Sequence, residues 1–252
     1  MGRAGIIAPL LLILAVAAPV HAGDTWEFRL SPYAWLAGMK GELGAGPTAP
    51  AVPIDVAPSD VIEDIETALM LVFNAKKGRH GVFVDMFYAD IVSDAELLPP
   101  PINLNAKVGA QSTVFTAAYQ YEVFRDGPAS ADVLVGARYW RTESSVALRG
   151  GNGPVDGRRL GSSESWTDPL LGVKGHAPLG NSRFYMEGGV SAGGFGIGSD
   201  RYHEISTVLG YRWSEAISTG VGYRYFDVKY DDSGFLYDVT QQGWQLGLSW
   251  SF

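Results

Sequence analysis

Residues 243–252 alternate without a break. Trp244, Leu246, Leu248, Trp250 and Phe252 share one side, while Gly243, Gln245, Gly247, Ser249 and Ser251 share the other. Period two places successive side chains on opposite faces of a strand, so this segment reads as a strand with one apolar and one polar face. The same pattern recurs upstream. Ile217, Thr219, Val221, Tyr223 and Tyr225 form one apolar row, and Ile205, Thr207, Leu209, Tyr211 and Trp213 another. Phe184, Met186 and Val190 belong to a third, and Phe115, Ala117, Tyr119, Tyr121 and Val123 to a fourth. Weaker alternation runs through 26–36, 67–77, 80–91, 131–148 and 168–179. The pattern therefore predicts ten strands, many of 10–14 residues. Strands of globular proteins average about 5–6 residues, whereas strands that cross an outer membrane need about 9–11. Trp and Tyr recur near the ends of the apolar rows, as in the aromatic girdles of membrane barrels. A soluble ten-stranded periplasmic barrel is the competing architecture. Strand length and aromatic placement favour a closed, antiparallel, up-and-down transmembrane β-barrel; eight strands remain if 26–36 or 168–179 do not span.

The connections alternate in length. Short links are expected at 77–81, 125–130, 180–182 and 214–216, and longer ones at 41–66, 93–109, 149–167 and 231–237. The link at 196–200 is short but belongs to the second set by order. Short periplasmic turns and longer outer loops have this parity. Two of the long links are Pro-rich (GPTAPAVPIDVAP and LLPPPIN), which excludes them as central strands.

The N-terminus sets the compartment. Arg3 precedes an apolar run, AGIIAPLLLILAVAAP, that ends in Val20-His21-Ala22, with small residues at the −3 and −1 positions of a cleavage site. This is the pattern of a secretory signal peptide over 1–22, leaving 23–252 as one barrel domain in the cell envelope of a Gram-negative bacterium. The run is short for a membrane anchor helix and contains Pro9 and Pro19. Losing Arg3 takes the net charge from −8 to −9, which argues against a nucleic-acid partner. No cysteine is present, so disulfides, thiolate metal sites and Cys nucleophiles are excluded.

Several stretches resemble a family of proteobacterial outer-membrane β-barrel proteins of largely unassigned function. They are SPYAWLAGMKG (31–41), LMLVFNAKKGRHGVFVDMFYADI (69–91), WTDPLLGVK (166–174), GGFGIGSD (193–200), LGYRWS (209–214) and GVGYRYFDVKY (220–230). The resemblance implies an outer-membrane barrel and brings no catalytic residues with it.

Little chemistry is written in motifs. GGFGIGSD has the glycines of a phosphate loop but is followed by a strand rather than a helix, so a hairpin using glycine at positive φ is expected. No HExxH occurs. His203 with Asp200 and Glu204 is the one local grouping that suits an enzyme at the outer rim, of protease or lipase type. The acidic run Asp60, Glu63, Asp64 and Glu66 lacks EF-hand spacing and reads as a solvated loop. No cofactor, metal or enzymatic activity is expected.

The polar face is more informative. Its charges are Arg29, Asp85, Glu122, Arg138, Lys174, Glu187, Arg212 and Arg224. Facing a lumen, they form either an internal salt-bridge network or a weakly cationic constriction. Ten strands about 4.8 Å apart and tilted about 40° enclose a backbone radius of about 10 Å, too narrow for a general porin. Bulky inward residues (Tyr33, Trp35, Met70, Val72, Phe83, Phe87) gather on the early strands and glycines on the late ones, so any channel is expected along the glycine-lined wall. The leading functions are a structural barrel or a narrow passive pore for small solutes. An enzyme at the outer rim and a surface-binding protein acting through its loops are the alternatives. A monomer is expected, with membrane lipid and lipopolysaccharide around it. Trp250 and Phe252, ending an amphipathic strand, resemble the terminal signal read by the outer-membrane insertion machinery.

Overall fold

The computed structural model describes residues 25–45, 51–98, 104–149 and 159–252. The expected signal segment 1–22 lies outside them, as do 46–50, 99–103 and 150–158 in three of the outer loops. Among the described residues eleven strands form: β1 (Glu27–Ala45), β2 (Val52–Val56), β3 (Ile65–Lys77), β4 (His80–Leu98), β5 (Leu104–Asp126), β6 (Ala129–Arg149), β7 (Arg159–Pro178), β8 (Phe184–Gly193), β9 (Arg201–Arg212), β10 (Ile217–Asp232) and β11 (Phe235–Ser251). From β3 to β11 each strand pairs antiparallel with the next, β3 also pairs with β1, and β11 closes on β1 from Arg29↔Ser251 to Ala45↔Phe235. β2 joins only β1 and is an edge addition, which leaves a closed ten-stranded barrel. Both 26–36 and 168–179 contribute spanning strands, so the eight-stranded option is excluded.

Apolar rows face outward. Leu246 and Trp244 are more than 60% exposed, and Leu171, Val135, Ile205 and Val221 stand in the same belt. Exposed apolar surface of this extent, rimmed by Trp213, Tyr211, Phe184 and Tyr119 at the turn end, suits lipid and not water. Toward the other end the outer surface turns polar. Arg141 pairs with Glu143 at 2.6 Å, and Lys229 lies 3.9 Å from Asp238. The Leu248→Arg change should therefore destabilise the inserted barrel by about 2–4 kcal/mol, the depth-dependent cost of a charge on the lipid face. Ser249→Arg, whose side chain enters the interior beside Ser31, should cost clearly less. Equal losses in urea unfolding from lipid vesicles would invert the faces.

Two expectations need correction. Most strands are longer than the 10–14 residues read from alternation: β5 has 23 residues and β6 21, whereas β3, β8 and β9, with 13, 10 and 12, keep to it. Polar residues such as Ser, Glu and Lys continue the ladders above the lipid belt, where water satisfies both faces and alternation disappears. The outer links shrink accordingly, and 231–237 becomes a tight turn with Ser233 and Gly234 at positive φ. The Pro-rich 41–66 link, expected as loop, holds β2 and a short helix α1 (Pro58–Asp64). Above Pro32↔Leu71 β1 parts from β3, and its upper half pairs with β2. Pro32 has no N–H to continue a ladder, and α1 fills the parting, Pro58 lying where a Cβ on Gly38 would stand. The other end is simpler. Gly78, Gly127 and Gly180 take φ near +60° in three of its four turns, a conformation that costs glycine nothing.

Candidate functional site

The interior has two storeys. At mid-height four charged side chains meet across the lumen. Arg138 of β6 donates to Glu204 of β9 at 2.6 Å and to Thr116 at 2.8 Å. Arg224 of β10 donates to Asp85 of β4 at 2.9 Å and to the Tyr33 hydroxyl at 2.9 Å, and that hydroxyl in turn donates to Asp85 at 2.8 Å. Arg224 Nε lies 2.7 Å from the second Glu204 oxygen, an ion pair without hydrogen-bond alignment. Two cations and two anions leave this cluster neutral, and all four side chains are buried or nearly so. Aromatic faces complete it. The Arg138 guanidinium lies 4.8 Å from the Tyr202 ring centre, and Arg224 lies 5.1 Å from Trp35.

Above this layer the lumen is filled. Trp140, Trp166, Tyr202, Phe226, Val228, Tyr230, Tyr237 and Val239 form a buried cluster. Trp166 stacks on Tyr230 with centroids 4.1 Å apart, linking β7 to β10 above the short strands β8 and β9. Asp168, fully buried, ties the plug to the 194–200 link. It accepts from the Ser199 N–H at 2.6 Å, the Ser199 hydroxyl at 2.8 Å and Trp140 Nε1 at 2.9 Å. Ser199 accepts from Trp166 Nε1 at 2.8 Å. The GGFGIGSD segment is thus more than a hairpin: Gly194 and Gly196 at positive φ let it fold back onto WTDP.

Below the charge layer the barrel is open. A cavity of about 850 Å³ is bounded above by Leu134, Leu170, Arg138, Glu204 and Arg224, and reaches the turn end at Gly127, Pro128, Glu215 and Phe252. Gly189, Gly220 and Gly247 line one wall. The glycine-lined wall does not stay open throughout: near the turn end the place of a Gly210 side chain is taken by the Tyr185 ring, and at the upper end that of Gly193 by Tyr202. The expected channel therefore stops at mid-height.

All eight sequence-identified charges point inward. Asp85, Arg138 and Arg224 lie in the central layer. Glu122 is buried nearer the turns, accepting from Lys76 at 2.8 Å and from two Arg125 nitrogens at 2.7 Å. Arg29 and His176 both meet Glu187, the histidine at 3.0 Å. Lys174 and Arg212 line the cavity. Glu187 thus pairs with Arg29 across the barrel, not with Arg212 or Arg224, because strand tilt sets those side chains at other levels. His203, Asp200 and Glu204 do not converge. His203 is outside, 3.6 Å from Asp227, while Glu204 points inward. Among the described residues no group of three His, Asp or Glu side chains could hold a metal ion. Sequence reading missed Lys76, Asp132, Asp168, Ser199 and the inward role of Glu204. Lys76 bridges Glu122 and Asp132, the latter at 2.7 Å. Parity along each strand would have placed these charges inside: Lys76 follows Asn74 and Val72, and Asp168 precedes Leu170 and Gly172.

No protein-family model and no curated protein sequence matches the chain. Solved structures do match. The outer-membrane protease OmpT from Escherichia coli aligns over 92% of this chain and 99% of its own, at 11% identity and TM-score 0.63. The translocator domain of the autotransporter NalP from Neisseria meningitidis aligns over 92% and 90% at 13% identity (TM-score 0.44), and the attachment protein Ail of Yersinia pestis over 90% and 98% at 12% identity (TM-score 0.38). At these identities the likeness defines the fold. With its lipid-facing belt, closed antiparallel wall and aromatic rim, the chain is a Gram-negative outer-membrane β-barrel protein.

Proposed function

We propose that this barrel is a non-conducting, non-enzymatic element of the outer membrane, closed to through-passage and open only to the periplasm. The observation that carries this is the double closure: a neutral Arg138–Glu204–Arg224–Asp85 layer spans the lumen, and a buried aromatic plug sits on it. A narrow passive pore would need a wetted path past both. The non-enzymatic reading is supported by the divergence of His203 and Glu204 onto opposite faces of β9. In this reading the barrel is a monomer within lipid and lipopolysaccharide. Trp250 and Phe252 are presented to the insertion machinery at the end of β11, and the chain belongs with the proteobacterial barrels its motifs resemble. Planar-bilayer recording tests the closure. The wild-type barrel, inserted and heat-modifiable, should give no discrete conductance steps at moderate voltage. Regular ohmic steps from the purified protein would reject the closed reading in favour of a pore.

A further inference from the structure

The lower cavity has the size of a small-molecule pocket, about 850 Å³ against the usual 300–1,000 Å³. Its charges are unevenly satisfied. Every other lysine and arginine that lines it has a carboxylate within 4 Å. Among the described residues, Lys174 and Arg212 have none. Lys174 stands about halfway up, one inward position below Gly172 and two below Leu170. Its ammonium donates to Asn74 Oδ1 at 2.5 Å and faces the Phe83 ring at 5.1 Å. An ammonium carries three donors, so two remain for a ligand. Asp132, its ladder partner on β6, and Glu187 act on it only through space, each being held by another cation, Lys76 and Arg29. A buried cation whose direct contacts are all neutral is costly unless something anionic completes its shell. Arg212 stands at the mouth, 5.8 Å from the Tyr185 ring, where a second cation draws anions in. Above Lys174 the wall is apolar, formed by Leu134, Leu170 and Val208.

We propose that this cavity binds a small organic anion from the periplasmic side: one carboxylate-sized charge held by Lys174, with an aromatic or branched apolar body seated under Leu134 and Leu170. The anion completes the lysine's shell, and the body displaces water from the apolar part of the ceiling at Leu134 and Leu170, beside the charge layer. The proposal deepens the closed-lumen reading, from which it takes only the side of entry.

Benzoate, benzyl alcohol and benzylamine serve as probes of one shape and three charges. Binding to the full mature barrel in lipid nanodiscs is measured by calorimetry, with empty nanodiscs subtracting partition into lipid. Benzoate should bind saturably, and benzylamine should not compete. Lys174→Gln should weaken benzoate at least about tenfold, the loss expected for a charge-assisted hydrogen bond, and leave benzyl alcohol unchanged. Lys174→Arg should retain most of the affinity. Ser206→Phe, in the ladder row of Lys174 with only Gly189 between them, puts a ring beside the ammonium without altering a charge and should weaken benzoate binding, which keeps the test decisive if Lys174→Gln does not give a heat-modifiable barrel. Absence of saturable benzoate binding, equal binding of benzylamine, or undiminished binding by the folded Lys174→Gln or Ser206→Phe protein each overturns the proposal. Any of these in a barrel that stays silent in bilayers leaves the closed reading standing, whereas conductance steps remove that reading alone.

Discussion

Glu204→Gln is expected to lower the unfolding free energy of the inserted barrel by about 3–5 kcal/mol, the usual cost of removing one member of a buried ion network. Glu204 is the only carboxylate among the described residues that meets both Arg138 and Arg224, at 2.6 and 2.7 Å. Neutralising it leaves two guanidinium groups sharing one carboxylate, Asp85, which reaches only Arg224. Arg138 would then be left with Thr116 and ring faces, in an interior where unscreened charge is expensive. The loss is a broken-partner cost and not the net worth of the network, so it should be non-additive. Arg138→Met combined with Glu204→Gln removes one charge of each sign and keeps the Arg224–Asp85 pair, and should cost less than the two single changes together. Glu215→Gln at the exposed mouth is the control and should move stability little. Urea unfolding from lipid vesicles, followed by the heat-modifiable gel shift, measures all four. A Glu204→Gln loss no larger than that of Glu215→Gln would show that the central layer does not hold the barrel together.

Strand alternation carried the fold because lipid on one side and a lumen on the other impose period two along every crossing segment. The same alternation put Asp85, Arg138 and Arg224 inside. It could not say which charges meet. Asp85 and Arg224 are 139 residues apart in sequence and four strands apart around the wall. Their contact depends on tilt and register, which add up over intervening strands and leave no trace in a single segment. Glu204 looked like a rim residue because a glycine-rich link precedes it. The wall is low at β8 and β9, with 10 and 12 residues, so a residue just past that link is already at mid-height inside the barrel. Above the lipid belt the polar ladders of β5, β6 and β7 lose the apolar face that marks a strand, and their length was hidden for that reason. Asp168 was obscured by its own neighbours: Pro169 and Thr167 weaken the alternation on either side, and its partner Ser199 sits in a loop without periodicity.

Trp166→Ala should cost about 3–5 kcal/mol, the range for deleting a large buried aromatic, and the contrast with another tryptophan makes the result interpretable. Trp166 is 6% exposed and touches three rings: Tyr230 at 4.1 Å, Trp140 at 5.7 Å and Tyr237 at 5.8 Å between centroids. Its indole N–H also donates to Ser199, which itself anchors on Asp168. Truncation therefore opens a void in the plug, removes the stack that joins β7 to β10, and takes a donor from the 194–200 link. Trp244 is 62% exposed on the lipid face, where the membrane fills the space an alanine leaves. Trp244→Ala should accordingly cost much less. Because the two proteins lose one tryptophan each, the gel shift rather than fluorescence should follow their unfolding. Similar losses would mean that the plug contributes no more than lipid contact does. Bilayer recordings of Trp166→Ala should stay silent all the same, since the Arg138–Glu204–Arg224–Asp85 layer still crosses the lumen beneath the void. Steps appearing in this variant but not in wild type would place the barrier in the aromatic plug instead of the charge layer.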